Sequence, residues 1–235
     1  MKIYRTYLII LVGLLISLQS LAQNPGYMGK HFIISGEMAF SGKGFWFQKT
    51  DFTTWTKFGG RAEAIVGANS IFGFSYLHYK NVLNINYTDN YFDYSNPTLV
   101  SHTFAINYTL FPRYSIAPLG YFTRFELGYI VNNVPDYYEN GVPRQGIDPT
   151  SFVGYSSHKL QANNLLFDVT FGYKRIIADR IIISLGAQFG ITLRTGTDIQ
   201  EIGDIVSLGE VPKSVFNQNF RSNLIAFRLS IGGLW

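Results

Sequence analysis

The chain has 235 residues, which is enough for one ordinary domain or one small barrel. Its 19 Lys and Arg nearly balance 15 Asp and Glu, and the lack of a basic run argues against a nucleic-acid partner. Without cysteine, neither a disulfide framework nor a thiolate metal site is possible. Aromatic residues make up 17% of the chain and charged residues 14%, whereas charged residues reach about a quarter in soluble domains.

The first residues have the pattern of a cleaved signal peptide. Lys2 and Arg5 supply a positive start, and residues 8–18 are mostly apolar. Ser20 and Ala22 then place small residues at the two positions that a signal peptidase recognises. A transmembrane anchor is disfavoured because the apolar run is shorter than the roughly 20 residues that a spanning helix needs. We therefore expect cleavage before Gln23 and export from the cytoplasm.

The expected leader, residues 1–22, is followed by a single predicted domain, residues 23–235. No apolar run in this domain is long enough for a spanning helix, so a closed β-barrel is the remaining way to cross a membrane. Segments of about ten residues that alternate apolar and polar side chains are typical of barrel strands. Eight segments alternate in this way, the second one weakly: 31–40, 58–66, 71–80, 100–110, 121–130, 164–174, 181–194 and 223–235.

The connections between these segments alternate in length. Outer-membrane barrels have short periplasmic turns and longer extracellular loops, and a β-sandwich has no reason to follow that rule. Both termini would then lie on the periplasmic side. The sequence predicts an eight-stranded antiparallel up-and-down transmembrane β-barrel, with long connections at 41–57, 81–98, 131–162 and 195–221 and short ones at 67–70, 111–120 and 175–180.

The last predicted strand ends on an aromatic residue, Trp235. Such an end resembles the signal that outer-membrane barrels present to their assembly machinery, which makes that machinery an expected partner. With residues 23–30 (QNPGYMGK) and 116–122 (IAPLGYF), the chain resembles small barrels of the OmpA-transmembrane and OmpX-like superfamily, and more narrowly barrels common in Bacteroidota. The resemblance implies an outer-membrane location and contact with its lipid. We also expect no peptidoglycan-binding domain after the barrel.

Charged side chains fall on the inward face of several predicted strands. An eight-stranded barrel is just wide enough for side chains to fill it, and an unpaired charge there costs several kcal/mol. The favoured interpretation is a buried ion-pair network that plugs the lumen, and the alternative is a polar conduit for small solutes. The predicted members are Glu37, Arg61, Glu63, Arg124, Glu126, Asp168, Arg194 and Arg228.

Two Ser-His pairs are the catalytic candidates in the sequence. Ser101 and His102 are adjacent on a strand and should point to opposite faces, so they cannot form a nucleophile and base by themselves. Ser157 and His158 fall in a predicted loop without an acidic partner at a diagnostic spacing. We expect no enzymatic activity, and a lipid-modifying enzyme is the third hypothesis.

Metal ligands are sparse in the sequence. Asp89 and Asp93 share a predicted loop that does not have the EF-hand pattern. We expect no metal and no cofactor, because the histidines are scattered without ligand spacing: His31, His78, His102 and His158.

Large aromatic residues are frequent in the predicted long loops. Residues 45–47, Trp55, 91–92 and 137–138 would form either the outer aromatic girdle or an interaction surface. The first hypothesis is therefore a structural or interaction protein whose loops meet a surface ligand or a larger outer-membrane complex. The second is a narrow transporter for small or hydrophobic molecules, suggested by small inward residues: Ala105, Gly186 and Gly190.

Overall fold

In the computed structural model, eight antiparallel strands close into a barrel. The structure describes residues 27–42, 54–82, 87–88, 92–94, 98–134, 141–143, 160–199 and 210–235. The predicted leader, Ser157-His158 and the aromatic residues at 45–47 and 137–138 lie outside these ranges. The barrel strands are β1 (Phe32–Gly42), β2 (Thr54–Gly67), β3 (Ser70–Val82), β6 (Thr98–Leu110), β7 (Gly120–Val134), β9 (Leu160–Ile177), β10 (Ile181–Ile199) and β11 (Ile225–Leu234).

Each barrel strand pairs with its neighbours in sequence, and the last strand pairs with the first. The closing register runs from Ile33 opposite Leu234 to Phe40 opposite Phe227. The Trp235 carbonyl accepts a hydrogen bond from the backbone N–H of Phe32 at 2.9 Å, which extends the closing ladder by one residue. The predicted eight-stranded antiparallel up-and-down barrel is thus confirmed.

Three shorter strands and one helix lie outside the barrel wall. The strands form a separate small sheet: β4 (Tyr87–Thr88), β5 (Phe92–Tyr94) and β8 (Gly141–Pro143). Helix α1 (Glu210–Leu224) leads directly into β11. Within the described ranges, no helix has both the length and the apolar character needed to cross a membrane.

The barrel wall follows strict in-out alternation. On β1, Phe32 and Ile34 point outward and are 61% and 63% exposed, whereas Ile33 and Glu37 point inward and are 1% and 4% exposed. The other strands repeat this pattern, with aromatic and aliphatic side chains outside. A closed sheet can lie among lipid chains because its backbone N–H and C=O groups bond to neighbouring strands. The apolar outer band then provides the side chains that contact lipid.

Two connections at one end of the barrel are bonded to each other. The Asn69 side-chain amide donates to the carbonyls of Pro112 at 2.8 Å and Ser115 at 3.0 Å. The Ala117 N–H donates to the Ala68 carbonyl at 2.8 Å. The segment 111–119 therefore folds across the turn between β2 and β3. We call this the short-connection end and the opposite one the long-loop end.

The structure corrects two sequence-based boundaries at the long-loop end. Strand β2 begins four residues earlier than predicted, so Trp55 points inward and is only 5% exposed. It is not part of an exposed aromatic loop. The predicted loop at 195–221 instead contains the end of β10 and most of α1, whose early Pro212 suits a first helical turn.

Candidate functional site

The candidate site is the middle of the lumen, where inward positions of five strands bring charged side chains together. Strand pairing sets Glu126 on β7 directly opposite Asp168 on β9. Two carboxylates placed side by side repel each other unless a cation bridges them. The guanidinium of Arg228, on β11, supplies that bridge.

Arg228 is the centre of the network. Its Nη2 lies 3.1 Å from Asp168 Oδ2, and its Nη1 contacts both Glu126 Oε2 and, at 3.2 Å, Glu37 Oε1. Its Nε donates to Gln188 Oε1 at 2.7 Å. All of its donor nitrogens therefore face acceptors. A buried guanidinium needs such partners to offset the free-energy cost of leaving water.

A second arginine crosses the lumen from β2. Arg61 Nη2 lies 2.6 Å from Glu37 Oε2 and 3.3 Å from Glu126 Oε1. Ser75 Oγ donates to the same Glu126 oxygen at 3.2 Å. Arg61 and Arg228 thus share two carboxylates, and the side chains of all four residues are at most 5% exposed.

Glu63 holds a second group of cations nearer the short-connection end. Its Oε2 accepts from Lys174 Nζ at 2.6 Å, and its Oε1 lies 3.6 Å from Arg124 Nη2. Arg124 Nε also donates to Thr109 Oγ1 at 3.2 Å. The cations of both residues lie over the face of the Phe122 ring, at 4.9 Å for Arg124 and 5.6 Å for Lys174.

The structure brings together seven of the eight side chains proposed from the sequence. Arg194 is the exception: although it lies opposite the buried Asn164 of β9, it is exposed near the end of β10, so it is not part of the buried layer. Lys174 completes the network instead. The charged layer therefore consists of four acids and four cations: Glu37, Glu63, Glu126, Asp168, Arg61, Arg124, Lys174 and Arg228.

Apolar side chains close the lumen below the charged layer, at the short-connection end. They pack together under the segment 111–119, with Tyr27 and Ile176 at the edge. We call this cluster the floor. Its members are Ile33, Ile65, Ile71, Phe111, Ala117, Phe122, Ile182 and Leu234.

Helix α1 lies across the lumen at the long-loop end. Val215 and Ser222 on this helix are fully buried, and Asn219 Nδ2 donates to Asn132 Oδ1 of β7 at 2.9 Å. The buried Lys57 of β2 donates to Ser222 O at 3.2 Å and to Asn223 Oδ1 at 2.6 Å. A cation at the carbonyl end of a helix is favoured by the helix dipole. Lys57 lies one residue before the predicted second strand, so the alternation of that strand does not include it.

The structure does not bring the Ser101–His102 pair together. Ser101 points into the lumen and donates to Asn132 Oδ1 at 2.8 Å, whereas His102 points outward and lies 2.8 Å from the Tyr76 hydroxyl. The two adjacent residues thus lie on opposite sides of the wall. In the part of the chain that the structure describes, no group of three metal-ligating side chains occurs.

Comparisons with known proteins add a likeness in structure alone. No protein-family model matches the sequence. No curated protein matches it either. Among solved structures, the chain is similar to the N-terminal β-barrel domain of Pseudomonas aeruginosa OprF, with a TM-score of 0.36 and 10% identity over 86% of this chain and 97% of that one. The fold assignment therefore rests on the strand pairing of the structure itself.

Proposed function

We propose that this chain is an outer-membrane barrel of the OmpA-transmembrane and OmpX-like type, plugged by its own side chains, that acts as a structural or interaction protein. Its long-loop end faces the cell exterior and meets a surface ligand or a larger membrane complex. Trp235 engages the barrel assembly machinery. The role is non-catalytic and needs no cofactor.

The observation that carries this proposal is the filled lumen. A conduit needs a continuous path of water, but the floor, the charged layer and α1 occupy three successive levels of the barrel. In the charged layer the cations and acids contact each other, with side chains at most 5% exposed. Since charges that are paired across the axis leave few donors or acceptors for a passing solute, the geometry favours a plug over a narrow transporter.

Liposome swelling tests the plug directly. We expect vesicles that contain the purified barrel to swell in small sugars and amino acids no faster than protein-free vesicles. A porin at the same protein-to-lipid ratio is the positive control. Swelling whose rate falls with increasing solute size would show a sieving conduit and would replace this proposal with the transporter hypothesis.

Cysteine labelling tests the location and orientation. Because the chain has no native cysteine, a maleimide can react only with the single cysteine that is introduced. In intact cells, Ser151→Cys in the segment between β8 and β9 should react with a membrane-impermeant maleimide. The matched variant Arg113→Cys, at the short-connection end, should react only after the outer membrane is permeabilised. The reverse pattern, or no labelling of either variant until the inner membrane is broken, would contradict the proposed topology.

A further inference from the structure

The outer face of the barrel wall carries very few charged-type side chains. The outward positions of a strand are those that alternate with its buried ones. Among the outward positions whose side chains the structure describes, none is Asp or Glu, and only four are Lys, Arg or His. Arg175 lies near the short-connection end, and His78, Lys80 and His102 lie together near the long-loop end.

The three residues near the long-loop end, His78, Lys80 and His102, are neighbours on paired strands. His78 of β3 is directly opposite His102 of β6, and the centroids of their rings are 4.9 Å apart. Lys80 follows His78 on the same face of β3 and is exposed. The Tyr76 hydroxyl lies 2.8 Å from His102 Nδ1, which fixes the imidazole and leaves Nε2 for another partner. We call Tyr76, His78, Lys80 and His102 the histidine–lysine patch.

Among the strand residues whose side chains the structure describes, the register neighbours of the patch are uncharged. In the register, His78 faces Phe58 of β2, and His102 faces Val131 of β7. Phe104 packs on the Tyr76 ring below, with centroids 5.2 Å apart. A cation and two imidazoles thus lie at the top of an apolar wall whose described outward positions carry no acidic side chain.

The height of the patch matches a headgroup zone. His78 is eight residues above the start of β3, or roughly 26 Å along the strand at about 3.3 Å per residue. With the strand tilt of about 40° typical of such barrels, this gives a height of roughly 20 Å, close to the upper edge of an apolar band about 25 Å tall. Groups at this edge of a lipid-facing wall meet lipid headgroups, and the anionic group of a headgroup is its phosphate.

We propose that the histidine–lysine patch binds the phosphate of a lipid headgroup in the outer leaflet. Lys80 supplies the positive charge, the imidazoles of His78 and His102 donate N–H groups to phosphate oxygens, and Phe58 and Phe104 contact the acyl chains below. Tyr76 positions His102. This inference rests on the proposed outer-membrane location, but not on the closure of the lumen.

Native mass spectrometry of the detergent-solubilised barrel tests the inference, with lipid A that keeps its phosphates and the same lipid after phosphatase treatment as probes. The wild type should retain the phosphorylated lipid and lose the dephosphorylated one. Lys80→Gln should weaken retention about tenfold, since one charge-assisted hydrogen bond contributes about 1.5 kcal/mol. Lys80→Arg should restore it. Arg175→Gln, the matched change at the other end of the outer wall, should leave retention unchanged.

Heat-modifiable migration in detergent gels verifies that each variant is folded. Equal retention of both lipids by the wild type, or equal loss in Lys80→Gln and Arg175→Gln, would overturn the patch as a phosphate site. Liposome swelling on the same preparations keeps the two proposals apart. A closed barrel without phosphate selectivity contradicts only the lipid site, and an open barrel with phosphate-dependent retention contradicts only the plug.

Discussion

The lumen is filled in two chemically different ways, by the charged layer in the middle and by the floor at the short-connection end. The floor resembles an ordinary protein core, and each buried methylene contributes about 0.8 kcal/mol to stability. In the charged layer, the attraction between the ions mainly offsets the free-energy cost of removing them from water. The two layers should therefore respond differently to substitution, because losing a floor residue leaves a cavity whereas losing one ion leaves its partners unpaired.

The charged layer should show the largest single effect. Arg228→Met removes the guanidinium that contacts Glu126, Asp168 and Glu37 together. Breaking a buried ion pair from one side costs about 3–5 kcal/mol. Urea unfolding in lipid vesicles, followed by tryptophan fluorescence, measures the change. Arg113→Met in the exposed short connection is the control and should stay within about 0.5 kcal/mol. A loss below about 1 kcal/mol for Arg228→Met would show that water already compensates these acids.

The floor should respond next. Ile71 is fully buried, and Ile71→Ala should destabilise the barrel by about 3 kcal/mol through lost transfer energy and the cavity left behind. Ile116→Ala is the matched control because Ile116 is 63% exposed. The same urea series measures both variants. If the two variants lost equal stability, the floor would not be a packed core.

Close packing of the wall against the floor predicts a smaller effect. A Cβ at Gly172 would lie 2.4 Å from the Leu185 carbonyl oxygen and 2.5 Å from Phe122 Cζ. Gly172→Ala should therefore cost about 1–3 kcal/mol. At Gly36 the nearest atom would be 3.9 Å away, so Gly36→Ala serves as the control in the same unfolding assay. If Gly172→Ala left the free energy of unfolding unchanged, the Phe122 side chain would have to move aside at no cost.

The contact of α1 with the wall should contribute least. Asn219→Ala removes the hydrogen bond to Asn132 and should cost about 1 kcal/mol. Asn217 on the same helix is exposed, and Asn217→Ala controls for helix propensity. Hydrogen exchange of the α1 amides should accelerate in Asn219→Ala but not in Asn217→Ala. Equal exchange rates would show that this bond does not hold the helix over the lumen.

Much of this architecture could be predicted from the sequence because a barrel wall imposes a period of two on every strand. That rule predicts the inward side of Glu37, Arg61 and Asp168. The same alternation places Lys174 on the side of Asp168, but its contact with Glu63 joins residues that are 111 apart in the sequence.

The remaining features depend on contacts that alternation does not encode. Arg194 lies opposite the buried Asn164 of β9, but it is exposed because it is close to the long-loop end of β10, where alternation alone does not decide burial. Lys57 is satisfied by the carbonyl end of α1, a partner more than 160 residues away in the sequence. The helix itself lies mostly within a segment predicted as a loop, and its ordering depends on Val215 and Asn219 packing against the barrel.

Ion conductance in planar lipid bilayers tests the filled lumen most directly. After insertion of the purified wild-type barrel, verified by its heat-modifiable migration, we expect the membrane current to stay at the level of protein-free bilayers at either polarity. Reproducible current steps of uniform size, which disappear when the protein is left out, would show a continuous aqueous path through the floor, the charged layer and α1, and the lumen would then not be plugged.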